Sequence, residues 1–284
     1  MTTLNGKTVL LTGASRGIGA FIARALTQQG ATVVGVARDP AKLEQVCAEL
    51  REAGAECFSI PWDLSNSETL PDLVTKIEQV AGPVDILINN AGIERYRAFQ
   101  DYTLSDLQAV IAINLLAAME LSRLLLPGML ARGGGHLVNM ASTAAKKGHP
   151  FDSAYSASKA GLLMWSDALR QELAESPVEV SVICPGYVEQ SGMLADTGVP
   201  APPLAGATTP TAVAAAVVRA IQQNQAEVIL NKDIVSAVIS KVLFATWQFF
   251  PRFGDTVYRA IGVPQLNQKR IKTPTRELVS HHSP

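Results

Sequence analysis

Cysteine is scarce in this chain: Cys47, Cys57 and Cys184 are the only three in 284 residues, scattered and without a CxxC pair. That argues against a disulfide framework or a zinc site, so no metal is expected and a reducing, cytoplasmic setting fits best. Charge is thin as well, 17% of residues, and balanced at 24 basic against 25 acidic. Such a balance gives no nucleic-acid surface. Long apolar runs are missing too. The nearest approach, residues 234–250, is interrupted by Ser236, Ser240, Lys241, Thr246 and Gln248, which argues against a spanning helix. The opening residues, Met1 to Lys7, lack a basic region followed by a cleavable apolar segment, so no signal peptide is expected.

What the chain does have is apolar material, 48% of residues, in a globular composition that rules out a disordered chain. Short β-branched runs alternate with longer segments of helical period. Strands are predicted at 7–12, 32–37, 56–60, 84–89, 136–140, 178–184 and 227–230. Helices are predicted at 18–29, at roughly 67–81, 103–131, 153–175 and 210–223, and after Asp39-Pro40, where Asp would cap and Pro would open the first turn. Several strands are apolar throughout, as strands covered on both faces must be. The pattern predicts an α/β fold: a doubly wound parallel sheet, Rossmann-like, in three α/β/α layers. Residues 1–230 would form the main α/β body, and 231–284 an apolar C-terminal helical extension of the same domain.

The first strand runs into Thr12-Gly13-Ala14-Ser15-Arg16-Gly17-Ile18-Gly19, with a helix beginning there. Glycines at 13, 17 and 19 permit a tight turn and a close approach of backbone to a pyrophosphate, which the free N–H groups of a helix start would face. The second strand ends at Ala37 with no carboxylate at its tip to hold a ribose 2′-OH, and Arg38 follows directly. Arg16 and Arg38 would bracket a 2′-phosphate with charge-assisted forks, so NADP(H) is expected ahead of NAD(H).

Tyr155 and Lys159 sit four residues apart at the start of a helix, about 6 Å of rise and one shared face. A phenol titrates near 10 and is a poor base at neutral pH; a neighbouring ammonium favours the phenolate, the tuning that an acid/base tyrosine needs.

With these residues in place the chain resembles the short-chain dehydrogenase/reductase family. The resemblance rests on TGASRGIG at 12–19, Asn89-Asn90-Ala91-Gly92 after the fourth strand, Asn114, Ser142, Tyr155 with Lys159, and Pro185-Gly186 after the sixth strand, in the family's order. It implies that Tyr155 exchanges a proton with the substrate oxygen, that Ser142 orients that oxygen, and that Lys159 binds the nicotinamide ribose. Asn114 would hold a water leading to Lys159. Gly13, Ser15, Arg16, Gly17, Ile18, Gly19, Arg38, Asp63, Asn90, Ala91, Gly92, Pro185, Gly186 and Val188 would line the cofactor site with Tyr155 and Lys159, Asp63 at the adenine. Where relatives frequently carry threonine, this chain has Gln190 followed by Ser191, and either would take over the amide contact.

The expected reaction is hydride transfer between nicotinamide and a ketone or secondary alcohol, on an apolar substrate of lipid, steroid, retinoid or acyl type. Alternatives are an NAD-dependent alcohol dehydrogenase and a non-catalytic dinucleotide-binding sensor. Relatives are dimers or tetramers built on the 103–131 and 153–175 helices, which implies a homo-oligomer. For the tail three readings stand: a lid on the substrate, a subunit contact, or a peripheral membrane segment across 231–272, with aromatics inserted and the basic stretch Lys269-Arg270-Ile271-Lys272 near headgroups.

Overall fold

The apolar runs become strands because most of them are covered on both sides by helices, the edge strands less completely. In the computed structural model, which describes residues 2–203 and 205–272, seven of them form one parallel sheet. These are β1 (Thr8–Thr12), β2 (Thr32–Ala37), β3 (Cys57–Pro61), β4 (Ile86–Asn89), β5 (Gly135–Met140), β6 (Val178–Pro185) and β9 (Glu227–Leu230). Their order is β3-β2-β1-β4-β5-β6-β9, with Val9 opposite both Val33 and Ile86. The chain builds outward from β1 to β3, then returns and builds outward the other way from β4. The crevice between the carboxyl ends of β1 and β4 is therefore a switch point, where open α/β sheets bind ligands.

Side chains alternate between the two layers, as the two-residue period of a strand requires. Leu11 faces α1 (Gly17–Thr27) and α8 (Pro210–Gln223), packing with Ile22, Leu26, Val213 and Val217. Leu10 faces α3 (Leu70–Ala81) and α5 (Ala117–Ala131), packing with Leu73, Ile77, Leu121 and Leu125. The doubly wound α/β/α sandwich is as the sequence predicts. Asp39 caps α2 (Pro40–Glu52), accepting from the Lys42 N–H at 3.1 Å with Pro40 in the first turn.

The longest apolar helical stretch is Leu104–Ala131, not the 234–250 segment. With 28 residues and a mean hydropathy of 1.8 it has the length and composition to cross a membrane. One face of it packs into the core, where Val110, Leu121, Leu125 and Met129 are buried, while Leu104, Leu116 and Leu130 on it are exposed. It is interrupted between α4 (Leu104–Ile111) and α5 by a π turn, Ala112–Leu116, which carries Asn114.

Beyond β6 the chain adds two short strands and a turn of helix: β7 (Tyr187–Val188) pairs with β8 (Ala207–Thr208), and α7 (Met193–Asp196) lies between. The extension is helical as expected, in three pieces: α9 (Ile234–Phe249), α10 (Pro251–Ala260) and α11 (Val263–Lys272). Phe244, Trp247, Tyr258 and Val263 form its own small core. The outer face of α9 is bare, with Ile234 81%, Val235 68% and Phe249 80% exposed. The polar residues beyond 272 and the rest of the expected 231–284 extension lie outside the described residues. The cysteines are less scattered than their spacing implies, because Cys47 on α2 and Cys57 on β3 pack in the same core cluster; both are buried free thiols, as is Cys184.

Candidate active site

One cleft follows the carboxyl ends of the strands, and its first end is the glycine turn. Gly13 and Gly17 adopt φ of +68° and +56°, where a side chain is strained. A Cβ on Gly19 would stand 2.0 Å from the Gly13 carbonyl oxygen. Only hydrogen fits there. Arg16 occupies the cap position of α1 without a capping side-chain bond, so the first N–H groups of the helix are left for an anion. The turn is pinned to β4 by Thr12, whose Oγ1 accepts from the N–H groups of Asn90 and Ala91 at 2.9 and 3.0 Å. Asn90 returns a bond from Nδ2 to the Thr12 carbonyl at 3.0 Å. Gly13, Ser15, Arg16, Gly17, Ile18, Gly19, Asn90, Ala91 and Gly92 all line the cleft.

At the tip of β2, Ala37 and Arg38 line the same cleft beside Trp62, Asp63 and Leu64. Asp39 does not: its oxygens take the Lys42 N–H and, at 3.1 Å, the Lys42 ammonium. Asp63 reaches the cleft while its Oδ1 accepts from the Ser65 N–H at 2.9 Å. The expected pair of arginines is split. Arg38 is exposed at the cleft edge, whereas Arg16 forms an ion pair with Asp196 of α7, tying the loop after β6 down over the glycine turn.

The other end gathers Ser142, Tyr155 and Lys159. Lys159 is buried, donates to the Met140 carbonyl at 2.7 Å, and holds its ammonium 5.7 Å from the centre of the Tyr155 ring. Burial pulls its pKa down to about 8. Tyr155 moves the opposite way from the sequence expectation. Burial, then the charges of Glu94 and Asp152, push the phenol well above its ordinary value, and the nearby Ser142 hydroxyl is the influence that lowers it. In this surrounding the phenol keeps its proton at neutral pH. Ser142 does double duty, its Oγ also accepting from the Ala144 N–H at 3.1 Å.

Asn114 lies off the cleft wall and braces it. Its Nδ2 donates to the Ile93 carbonyl at 2.9 Å and to Ser158 Oγ at 3.0 Å, and its Oδ1 accepts from the Ile93 N–H at 2.8 Å. A Cβ on Gly92 would lie 3.3 Å from that Oδ1 and 3.5 Å from the Lys159 ammonium, so Gly92 sits in the gap between them. Pro185, Gly186 and Val188 line the cleft. Of the two candidates for the threonine position, Ser191 lines the cleft, while Gln190 is exposed with φ +74°.

Several lining residues carry no sequence signal. Glu94, Tyr96, His149 and Tyr187 line the cleft together with the apolar Ile93, Ile113, Met193 and Leu194. Glu94 Oε1 accepts from the Tyr96 hydroxyl at 2.8 Å. Burial and then the Arg270 charge bring His149 down to about 4, so it is neutral, and it stacks on Tyr187 at 5.8 Å. The basic stretch at 269–272 does not act as a unit. Arg270 points inward and is buried, which withdraws it from any headgroup contact.

Comparison with known proteins agrees with this layout. The family model described as short chain dehydrogenase matches residues 7–199. This chain belongs to the short-chain dehydrogenase/reductase family. As a member it is an oxidoreductase. It is 52% identical to the ketoacyl reductase HetN of Nostoc sp. over 277 residues, 98% of this chain and 96% of that one, so the likeness runs on through the extension. Among solved structures it is similar to a metagenomic short-chain oxidoreductase in complex with NADP: TM-score 0.71, 35% identity, covering 82% of this chain and 100% of that one. A short-chain dehydrogenase/reductase from Burkholderia phymatum in complex with NAD gives TM-score 0.74 at 26% identity, covering 81% and 90%. In this short-chain dehydrogenase, α9 to α11 lie beyond the segment matched by the family model.

Proposed function

We propose that this short-chain dehydrogenase is an NADP(H)-dependent reductase of ketones, with Tyr155 as the proton donor. The observation that carries the reading is the meeting of Tyr155, Ser142 and Lys159 at one end of a cleft whose other end is an uncapped helix start behind side-chain-free glycines.

The glycine turn fits a pyrophosphate, and Arg38 at the tip of β2 fits a 2′-phosphate where Asp39 is occupied with its helix. The nicotinamide, when bound, supplies or takes up the hydride. The residues of the chain manage the oxygen. Tyr155 is held protonated, and Ser142 is near enough to influence it, so the two hydroxyls together favour a ketone oxygen placed between them. As negative charge develops on that oxygen, Tyr155 delivers its proton and Ser142 steadies the charge, which avoids a free alkoxide. Lys159, within reach of Tyr155 and cationic below about pH 8, favours the phenolate left behind.

The apolar lining beyond Tyr155 suits an acyl-like chain, and the polar groups among it suit one with further oxygen atoms. That combination, with the name of the Nostoc relative, supports a 3-oxoacyl substrate ahead of a steroid or retinoid. Fluorescence titration with NADPH and NADH, followed by a screen of ketones of rising size, tests the reading; equal affinity for the two dinucleotides would overturn the cofactor assignment.

The proposal includes a cytoplasmic homo-oligomer, dimer or tetramer, built on α5 and α6 (Ser153–Glu172), whose shared groove is lined by Leu116, Met119, Leu126, Trp165 and Leu169. The bare face of α9 is the surface for peripheral membrane contact. Flotation with anionic vesicles tests that contact, and absence of association removes it.

A further inference from the structure

A charge leaves water only where its surroundings offset the desolvation, so a buried guanidinium on a C-terminal helix has to be accounted for. Arg270 is 2% exposed and arrives on α11. It lies between two tyrosines of the cleft, 5.5 Å from the ring centre of Tyr96 and 5.5 Å from that of Tyr187. Nη2 donates to the Pro200 carbonyl at 2.9 Å, and Nη1 donates to Oδ1 of Asn267. Asn267 is itself fully buried and donates from Nδ2 to the Pro150 carbonyl at 2.8 Å. One turn of α11 thus fastens two loops at once: the one that follows Ser142 and carries His149, and the one that follows β7. Both border the substrate end of the cleft.

We infer that α11 is a strap across the substrate end and that Arg270 is its positioning residue, holding Tyr96, Tyr187 and the two loops in the shape that sets the ketone against Tyr155. This rests on the oxidoreductase reading above. The guanidinium is suited to the task because a plane can stack between two rings while its edge forks to carbonyls. An ammonium is a point charge on a flexible stem and cannot do both. The strap acts on the wall and not on the transferring proton, so its loss shows in substrate binding more than in turnover.

The test uses the full chain with Arg270→Met, Arg270→Lys and Asn267→Ala. Backbone hydrogen exchange is read over 147–152 and 194–206, NADPH binding by fluorescence, and kinetics with acetoacetyl coenzyme A as a 3-oxoacyl probe. For Arg270→Met, exchange in both loops and KM each rise by about tenfold, kcat stays within about threefold, and NADPH affinity stays within about twofold. Arg270→Lys recovers only a minor part of either effect. Asn267→Ala loosens 147–152 more than 194–206, and it carries the test if Arg270→Met fails to fold. Exchange and KM both within about twofold of the parent would show that Arg270 only fills space, and a loss confined to kcat would overturn a positioning role equally. The exchange readout needs no substrate, so a parent protein inert toward every ketone would sink the proposed reaction while leaving the strap to be judged by itself.

Discussion

Lys159 stands one helical turn beyond Tyr155 on α6, its ammonium 5.7 Å from the centre of the phenol ring, with the lysine buried and the tyrosine half-buried at the cleft. The two shifts differ in kind: burial drives Lys159 down to about 8 and Tyr155 upward. Between them they retain a proton on the phenol and a cation beside it through neutral pH, a combination suited to reduction.

The pH dependence follows with its sign. Lys159 is charged below about pH 8 and neutral above it. The rate of ketone reduction is expected to hold at neutral pH and to decline as pH rises through about 8. Lys159→Met is expected to be slow throughout and to lack that limb. A parent profile flat to pH 10 would contradict the assignment of the cation to Lys159.

Cofactor choice is expected to turn on Arg38. Charge-assisted hydrogen bonds contribute about 1.5–3 kcal/mol, so Arg38→Ser should weaken NADPH by roughly 10- to 100-fold. NADH, which has no 2′-phosphate, should change by less than about twofold on the same scale. Fluorescence titration of both with parent and variant checks this. Equal weakening of the two would place Arg38 away from the 2′ position.

Gly19→Ala puts a Cβ 2.0 Å from the Gly13 oxygen, and that backbone cannot yield without opening the turn. Affinity for either dinucleotide is expected to fall by at least about tenfold, with the sheet intact by circular dichroism. Unchanged binding would show that the turn does not touch the ligand.

Two buried histidines set the acid limit. His136 and His149 are both brought down to about 4, by burial foremost. An unfolded histidine titrates near 6.5, so between about pH 6.5 and 4 the unfolded chain holds more protons and stability falls as pH falls. The loss amounts to roughly 3 kcal/mol per histidine once pH is below both values. Melting temperature followed from pH 7 to 4 checks this, and His136→Gln should flatten part of the slope; a parent melting point constant over the range would contradict it.

The sheet and half of the site were legible because local chemistry writes them. β2 and β9 begin and end where the apolar runs do, and the other sheet strands depart by two residues at most. The glycine turn and the Tyr155–Lys159 pair are short-range patterns whose spacing is itself the geometry. The direction of the Tyr155 shift was not legible, because burial, its first cause, is set by tertiary packing, and Glu94, which adds to it, lies far away in the chain; Asp152, at the cap of the same helix, is near in sequence but carries no pattern that marks it. The place of Arg270 was not legible for a like reason: nothing in the basic stretch 269–272 sets it apart from its neighbours, and only the packing of α11 shows it between Tyr96 and Tyr187.

The central claim is that the Tyr155 hydroxyl delivers the proton, and Tyr155→Phe tests it by removing one oxygen atom from the cleft. With NADPH and acetoacetyl coenzyme A, turnover is expected to drop by about 10²- to 10⁴-fold while NADPH still binds within about threefold of the parent. Turnover by Tyr155→Phe at the parent rate, with the dinucleotide bound equally well, would contradict it.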